Sequence, residues 1–210
     1  MRRINKFSDL SVLFPYLAIL IGIFGFRSAW VAVGLYYCGA IFLISRRIGK
    51  RSLDLMCSGW SWKWVVVSIG FATAIFIGAL ILWDQVQRVD VSLGELFNRY
   101  GLWGNNGILF CVLAVLFNPA IEELFWRGCF ESNPHRLAKE DLLFAGYHVL
   151  VLWMVARWYW VFLFFAGLAF FGWIMRYLKH SLRGLGIVCF FHTMADLAII
   201  VSILRILDRH

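Results

Sequence analysis

Charge is what this chain has least of. Asp, Glu, Lys and Arg together fill 15% of its 210 positions, with 12 acids against 20 bases. A soluble domain carries about a quarter of its residues charged, so a water-facing surface along the whole chain is excluded. Cysteines are few and scattered, at Cys38, Cys57, Cys111, Cys129 and Cys189. With no C-x-x-C and no ligand spacing, a cysteine metal site or dithiol motif is excluded, and free buried thiols are expected. Cys189 stands three residues before His192, but a reactive Cys/His pair needs an electropositive setting that the sequence does not supply. The zinc-protease pairing H-E-x-x-H is absent. So are glycines at four-residue spacing, which removes one common way of packing membrane helices. No internal repeat is visible, which argues against a repeat-built transporter. The bases form no stripe, which excludes a nucleic-acid interface.

What remains is apolar bulk. The chain is 62% hydrophobic and 18% aromatic, with a mean hydropathy of +0.77. This composition places it among polytopic membrane proteins. The expected fold is an all-α membrane helix bundle forming one integral domain over 1–210, with its catalytic half at about 106–206. Apolar segments at 10–26 and 28–45 are split by Arg27, and 64–83 follows after a polar connection. Trp60, Trp62 and Trp64 suit the headgroup level. An amphipathic helix is expected near 91–100. A fourth span opens at about 106 and contains Pro119, where a kink is expected one turn before Glu122. The apolar run from Leu142 to Met175 is too long to cross once and is split at Arg157. A last span covers about 184–204. That makes about seven spans.

The basic head (Arg2, Arg3, Lys6) is followed by a full-length apolar segment and no small-residue cleavage site, so no cleavable signal is expected. Most Lys and Arg fall in alternate loops, which places the N-terminus in the cytoplasm and the protein in the cell membrane.

The polar residues inside the apolar runs now stand out. Glu122 and Glu123 are adjacent, where one acid alone costs about 2.5–3.5 kcal/mol to insert. Glu123 and Arg127 are four apart on one helical face and are expected to neutralise each other. Glu122 lies about 100° away, with no obvious local partner, and is left as the carboxylate free for chemistry. An acid–base cluster that only pins helices together is the alternative. Further on, His148 has Phe144 one turn before it, and His192 shares a face with Asp196. With the spans alternating, Glu122, His148 and His192 fall at similar depths in the inner half of the bilayer.

A buried carboxylate is a competent base for water. One histidine can carry the proton to a leaving amine, and a second can meet the oxyanion of a tetrahedral intermediate. That set describes amide hydrolysis without a covalent intermediate and without a cofactor or metal. Two His and a Glu could instead hold zinc with an open fourth position.

The motifs E-E-x-x-x-R at 122–127, F-x-x-x-H at 144–148 and H-x-x-x-D at 192–196 resemble, in this order, those of the CAAX prenyl protease and bacteriocin-processing (CPBP, ABI) family of glutamic intramembrane endopeptidases. The likeness covers residues 122–196. It implies Glu122 as the water-activating base and His148 as its proton partner. It implies His192 and position 196 at the oxyanion, with Glu123 and Arg127 in support. Its usual pattern ends in Asn where this chain has Asp196. An ionised Asp cannot donate to an oxyanion, so Asp196 is expected to fix the His192 tautomer instead. The expected partners are the bilayer and a peptide or protein substrate, membrane-anchored or lipidated substrates included. A non-enzymatic immunity or scaffold protein and a proton-coupled transporter are the competing functions.

Overall fold

The computed structural model describes residues 10–208. The basic head Met1–Asp9, which bears on orientation, lies outside the described residues. Among the described residues every regular element is a helix, nine in chain order: α1 (Ser11–Gly25), α2 (Ala29–Arg47), α3 (Arg51–Cys57), α4 (Trp62–Val86), α5 (Leu93–Arg99), α6 (Gly104–Gly128), α7 (Lys139–Val155), α8 (Trp158–Leu182) and α9 (Gly186–Leu207). Five of them, α2, α4, α6, α8 and α9, are long and apolar enough to cross a membrane. The protein is an all-α integral membrane bundle. The count of seven is not reached on this measure, because α1 and α7 are the two short ones. α7 has 17 residues and opens with Lys139, Glu140 and Asp141, so only about 21 Å of it is free of charge.

α1 and α2 form a hairpin. Arg27 turns the chain at φ 51°, and Ser28 caps α2 by accepting from the Val31 N–H at 3.3 Å. Gly22 lies directly on the backbone of Ala32, where any side chain would collide, so the two helices meet without spacers. The expected polar connection at 46–63 contains a short helix, α3, which the sequence reading missed. Seven residues offer too little periodicity to separate helix from loop. The amphipathic element near 91–100 is α5. Ser92 caps it through the Glu95 N–H, and its last turn accepts the Ala29 N–H on the Tyr100 carbonyl.

The split at Arg157 has a visible cause. The α4 and α7 ends are joined by Arg88 N–H to Val155 O (2.9 Å) and Arg157 N–H to Val86 O (2.8 Å). The Arg157 guanidinium then caps α4 by donating to Gln87 O and Asp84 O. A cation ending one helix supplies the carbonyls of another with donors. At the opposite end, Leu185 N–H to Leu55 O (2.7 Å) and Gly186 N–H to Ser58 O (2.8 Å) tie the start of α9 to the α3–α4 turn. α9 then packs between α4 and α6, and α7 packs on α8.

α4 shows why this chain reads as membrane rather than globular. Of its 25 residues only Ser68, Ala72 and Val86 are buried, so most of its apolar surface outside the face packed on α9 points outward. Packing is concentrated instead around Phe125, Trp126, Phe144, Tyr147, Met175 and Ile187. That core surrounds the polar residues of α6 and α9.

Candidate active site

α6 is α-helical through Glu123 and changes to a π turn at Leu124–Gly128. Pro119 lies within the α part, so the change of helix type follows the diacid. In the π turn the Cys129 N–H reaches the Leu124 carbonyl at 3.0 Å, five residues back. Single π turns of this kind often accompany functional sites. Here the turn carries Arg127, which has to point back toward Glu123.

Four candidate residues are almost wholly buried: Glu122, Glu123, Arg127 and His192. Arg127 donates to Glu123 Oε1 at 3.1 Å, and its guanidinium lies 4.2 Å over the Phe144 ring. A buried guanidinium thus has both a counter-charge and a ring face. His192 Nδ1 lies 2.7 Å from the same Glu123 oxygen. A carboxylate only accepts, so Nδ1 carries the proton and the ring orientation is fixed. The other nitrogen, Nε2, stands 3.5 Å from Asp196 Oδ1 and 3.7 Å from Glu122 Oε2. Both gaps are too long for a direct hydrogen bond. They are short enough for one small polar molecule to touch both sides.

This corrects two expectations. The contact that sets the His192 tautomer comes from Glu123, not from Asp196. A carboxylate four residues on reaches only the far nitrogen of the ring, whereas Glu123 approaches Nδ1 from another helix. Glu122 does have a local partner: Asn118, one turn earlier, donates to its Oε1 at 2.9 Å. A second donor, the Tyr147 hydroxyl, reaches the same oxygen at 2.5 Å. Glu122 Oε2 is buried with no hydrogen-bond partner among the described residues.

His148 stands slightly apart. Its Nδ1 lies 2.8 Å from the Phe144 carbonyl, so Nδ1 is the donor and Nε2 keeps a lone pair when the ring is neutral. Phe144 packs against it at 4.9 Å between ring centres, as the four-residue spacing anticipates. Phe144 also meets the His192 ring edge-on at 6.1 Å. His148 makes no hydrogen bond to Glu122 among the described residues, yet it lies within the electrostatic reach of Glu122, His192 and Arg127. The structure therefore brings Glu122, Glu123, Arg127, His192 and Asp196 into one contact network, with His148 at its edge. Cys189 takes no part, since both His192 nitrogens face carboxylates.

Asn118 and Tyr147 are the site residues that sequence reasoning passed over. Asn118 was legible as a polar residue at i−4 of Glu122. Tyr147 was not, because an aromatic in an aromatic-rich helix looks like packing. Rings from the N-terminal hairpin also reach the site: Tyr16 and Tyr36 pack on Tyr147 at 6.3 and 6.2 Å. Among the described residues no three His, Cys, Asp or Glu side chains are grouped so as to hold a metal ion.

Asp196 is the most open member of the network, with 21% of its side chain exposed, and His148 is half-buried.

The chain matches no curated protein and no solved structure. Residues 103–198 match one family model, described as type II CAAX prenyl endopeptidase Rce1-like. The matched stretch holds all six candidate residues, together with Asn118 and Tyr147. The stretch that carries this site, a little under half of the chain, is thus similar to the Rce1-like type II CAAX prenyl endopeptidases, a protease family and the one that the three motifs resemble.

Proposed function

We propose that this protein is a glutamic intramembrane endopeptidase. The observation that carries the reading is Glu122 Oε2, without a hydrogen-bond partner among the described residues and held in a buried site 3.7 Å from His192 Nε2. An intramembrane acid with one oxygen fixed and the other presented to a histidine is equipped to activate water.

In this mechanism a water held at Oε2 gives one proton to Glu122, and its oxygen bonds to the scissile carbonyl carbon. The carbonyl π pair moves onto oxygen, where His192, carrying both ring protons, donates from Nε2. Glu123 holds Nδ1, and Arg127 holds Glu123 in place. The proton on Glu122 passes to the leaving nitrogen, with the His148 Nε2 lone pair as relay. The C–N bond breaks with its electron pair on nitrogen, giving an amine and a carboxylic acid. Preorganised groups in a low-dielectric site supply the largest part of such rate enhancement.

The matched family supports a substrate carrying a prenylated C-terminal CAAX sequence as the first to try. Residues 106–206 are the catalytic half. Alternating Lys and Arg content supports a cytoplasmic N-terminus and the cell membrane as location.

The test is cleavage by purified protein in proteoliposomes, using a quenched fluorogenic peptide ending in a prenylated CAAX sequence. Glu122→Gln and His148→Ala each abolish cleavage while folding is kept. Full proteolysis by either variant rejects the assignment. A parallel run with a zinc chelator separates the carboxylate mechanism from a metal-dependent one.

A further inference from the structure

The two oxygens of Glu122 are treated unequally. Oε1 accepts from Tyr147 at 2.5 Å and from Asn118 at 2.9 Å. Among the described residues Oε2 has no donor, and it faces His192. The terminal torsion of a glutamate is broad and roughly two-fold, so an unrestrained carboxylate would exchange its oxygens. Two donors on one oxygen stop that exchange.

Of the two donors, Tyr147 is the more rigid. Its ring lies face to face with Trp126 at 5.9 Å and 2°. Phe144, Tyr16 and Tyr36 close the remaining sides. A phenylalanine would fill the same space and make the same ring contacts, so packing accounts for the ring and not for the hydroxyl. The hydroxyl has one hydrogen-bond partner among the described residues, and that partner is Glu122. Tyr147 also adjoins His148, with ring centres 4.1 Å apart. One short segment of α7 therefore both holds the acid and carries its proton relay.

We infer that Tyr147 is a positioning residue for the hydrolytic step: its hydroxyl, with the Asn118 amide, locks Oε1 and leaves Oε2 as the oxygen that takes the water proton. The inference rests on the reading of Glu122 as base. The Tyr147 hydroxyl touches no reacting atom and acts through Glu122.

The test compares Tyr147→Phe, Asn118→Ala and Glu122→Gln in proteoliposomes with the same fluorogenic peptide. Tyr147→Phe lowers kcat about 10- to 100-fold, as misplacement of a reacting group does. It leaves KM within about two-fold, since uniform substrate binding is untouched. Its unfolding temperature stays within a few degrees of the parent. Asn118→Ala shifts kcat in the same direction. An unchanged kcat in Tyr147→Phe, or a KM rise without a kcat change, overturns the inference. If Glu122→Gln itself still cleaves, the base assignment fails first, which separates the two ideas. A readout free of substrate covers a wild type that ignores the peptide. The carboxylate stretching bands missing in Glu122→Gln by infrared difference spectroscopy are assigned to Glu122. Those bands move in Tyr147→Phe if the hydroxyl holds the ionised acid, and their staying in place overturns the inference.

Discussion

His192 Nδ1 and Arg127 share a single oxygen of Glu123, at 2.7 and 3.1 Å. One buried carboxylate thus does two jobs on two helices. It neutralises a guanidinium on its own helix, and it sets the proton position of an imidazole on α9. The adjacent Glu122, about 100° round the helix, is released from both tasks.

Breaking this arrangement from the Arg127 side is costly. Arg127→Ala leaves Glu123 buried and paired only with His192, and the lost charge-assisted hydrogen bond costs about 1.5–3 kcal/mol. The expected result is a clear drop in unfolding temperature in detergent, together with lost cleavage. The double variant Glu123→Leu with Arg127→Met removes both charges and keeps apolar volume, so it recovers most of that stability. It does not recover cleavage, because His192 has lost its Nδ1 partner. Recovery of both would show that Glu123 serves only as a brace.

The bundle and the diacid were legible for simple reasons. A chain with this little charge has no soluble alternative, and a four-residue spacing fixes which of Glu122 and Glu123 can meet Arg127. The break at Arg157 was legible from length alone, although its cause, a guanidinium capping α4, needed the structure. What stayed hidden depends on contacts between helices. Glu123 reaching His192 joins residues 69 positions apart, and no local spacing encodes it. Tyr147 was hidden by its own surroundings, since 18% of the chain is aromatic and a ring that donates a hydrogen bond looks like any other. The absolute orientation leaned partly on Arg2, Arg3 and Lys6, which lie outside the described residues.

Gly172 on α8 sits under the site. A Cβ there would come within 3.0 Å of Arg127 Nη2 and 3.4 Å of both Phe144 and the Asp141 Cβ. Arg127 is clamped by Glu123 and the Phe144 face, so it has little room to retreat. Gly172→Leu overpacks this point and costs about 1–3 kcal/mol. Thermal unfolding checks the stability loss. Cleavage should fall too, because the displaced guanidinium pulls on Glu123. A variant as stable and as active as the parent would show that Arg127 moves more freely than its contacts suggest.

Arg176 holds the loop between α6 and α7. It pairs with Asp141 at the α7 N-terminus and donates to the Asn133 and Arg136 carbonyls. Trp173, one turn earlier, donates to Pro134 O at 3.0 Å. Asp141 in turn accepts the Ala138 N–H at 2.9 Å. Arg176→Leu leaves Asp141 charged and buried with that one backbone partner, so a loss of about 3–5 kcal/mol is expected. The loop at 129–138 then loosens. Limited proteolysis of detergent-solubilised protein should cut within that loop in the variant and spare it in the parent. Equal resistance in both would mean that the Trp173–Pro134 and Ser132–Glu140 hydrogen bonds secure the loop without Arg176.

Asp196 gives the last test, because its position departs from the pattern the motifs resemble. With Glu123 already on Nδ1, the ring does not need Asp196 for its tautomer. Standing 3.5 Å from Nε2, an ionised Asp196 competes with an oxyanion for the same N–H. Asp196→Asn removes that competitor and adds an amide donor at the open side of the site. Its kcat should therefore be kept or raised, by up to about ten-fold for one added donor hydrogen bond of about 1.4 kcal/mol. Asp196→Leu, of similar size and with no donor, separates the two effects. It relieves the competition without adding a hydrogen bond, so its rate falls between those of Asp and Asn. Loss of cleavage in Asp196→Asn, with unfolding unchanged, would show that the negative charge itself takes part in the reaction, and that this chain handles its protons differently from the Asn pattern.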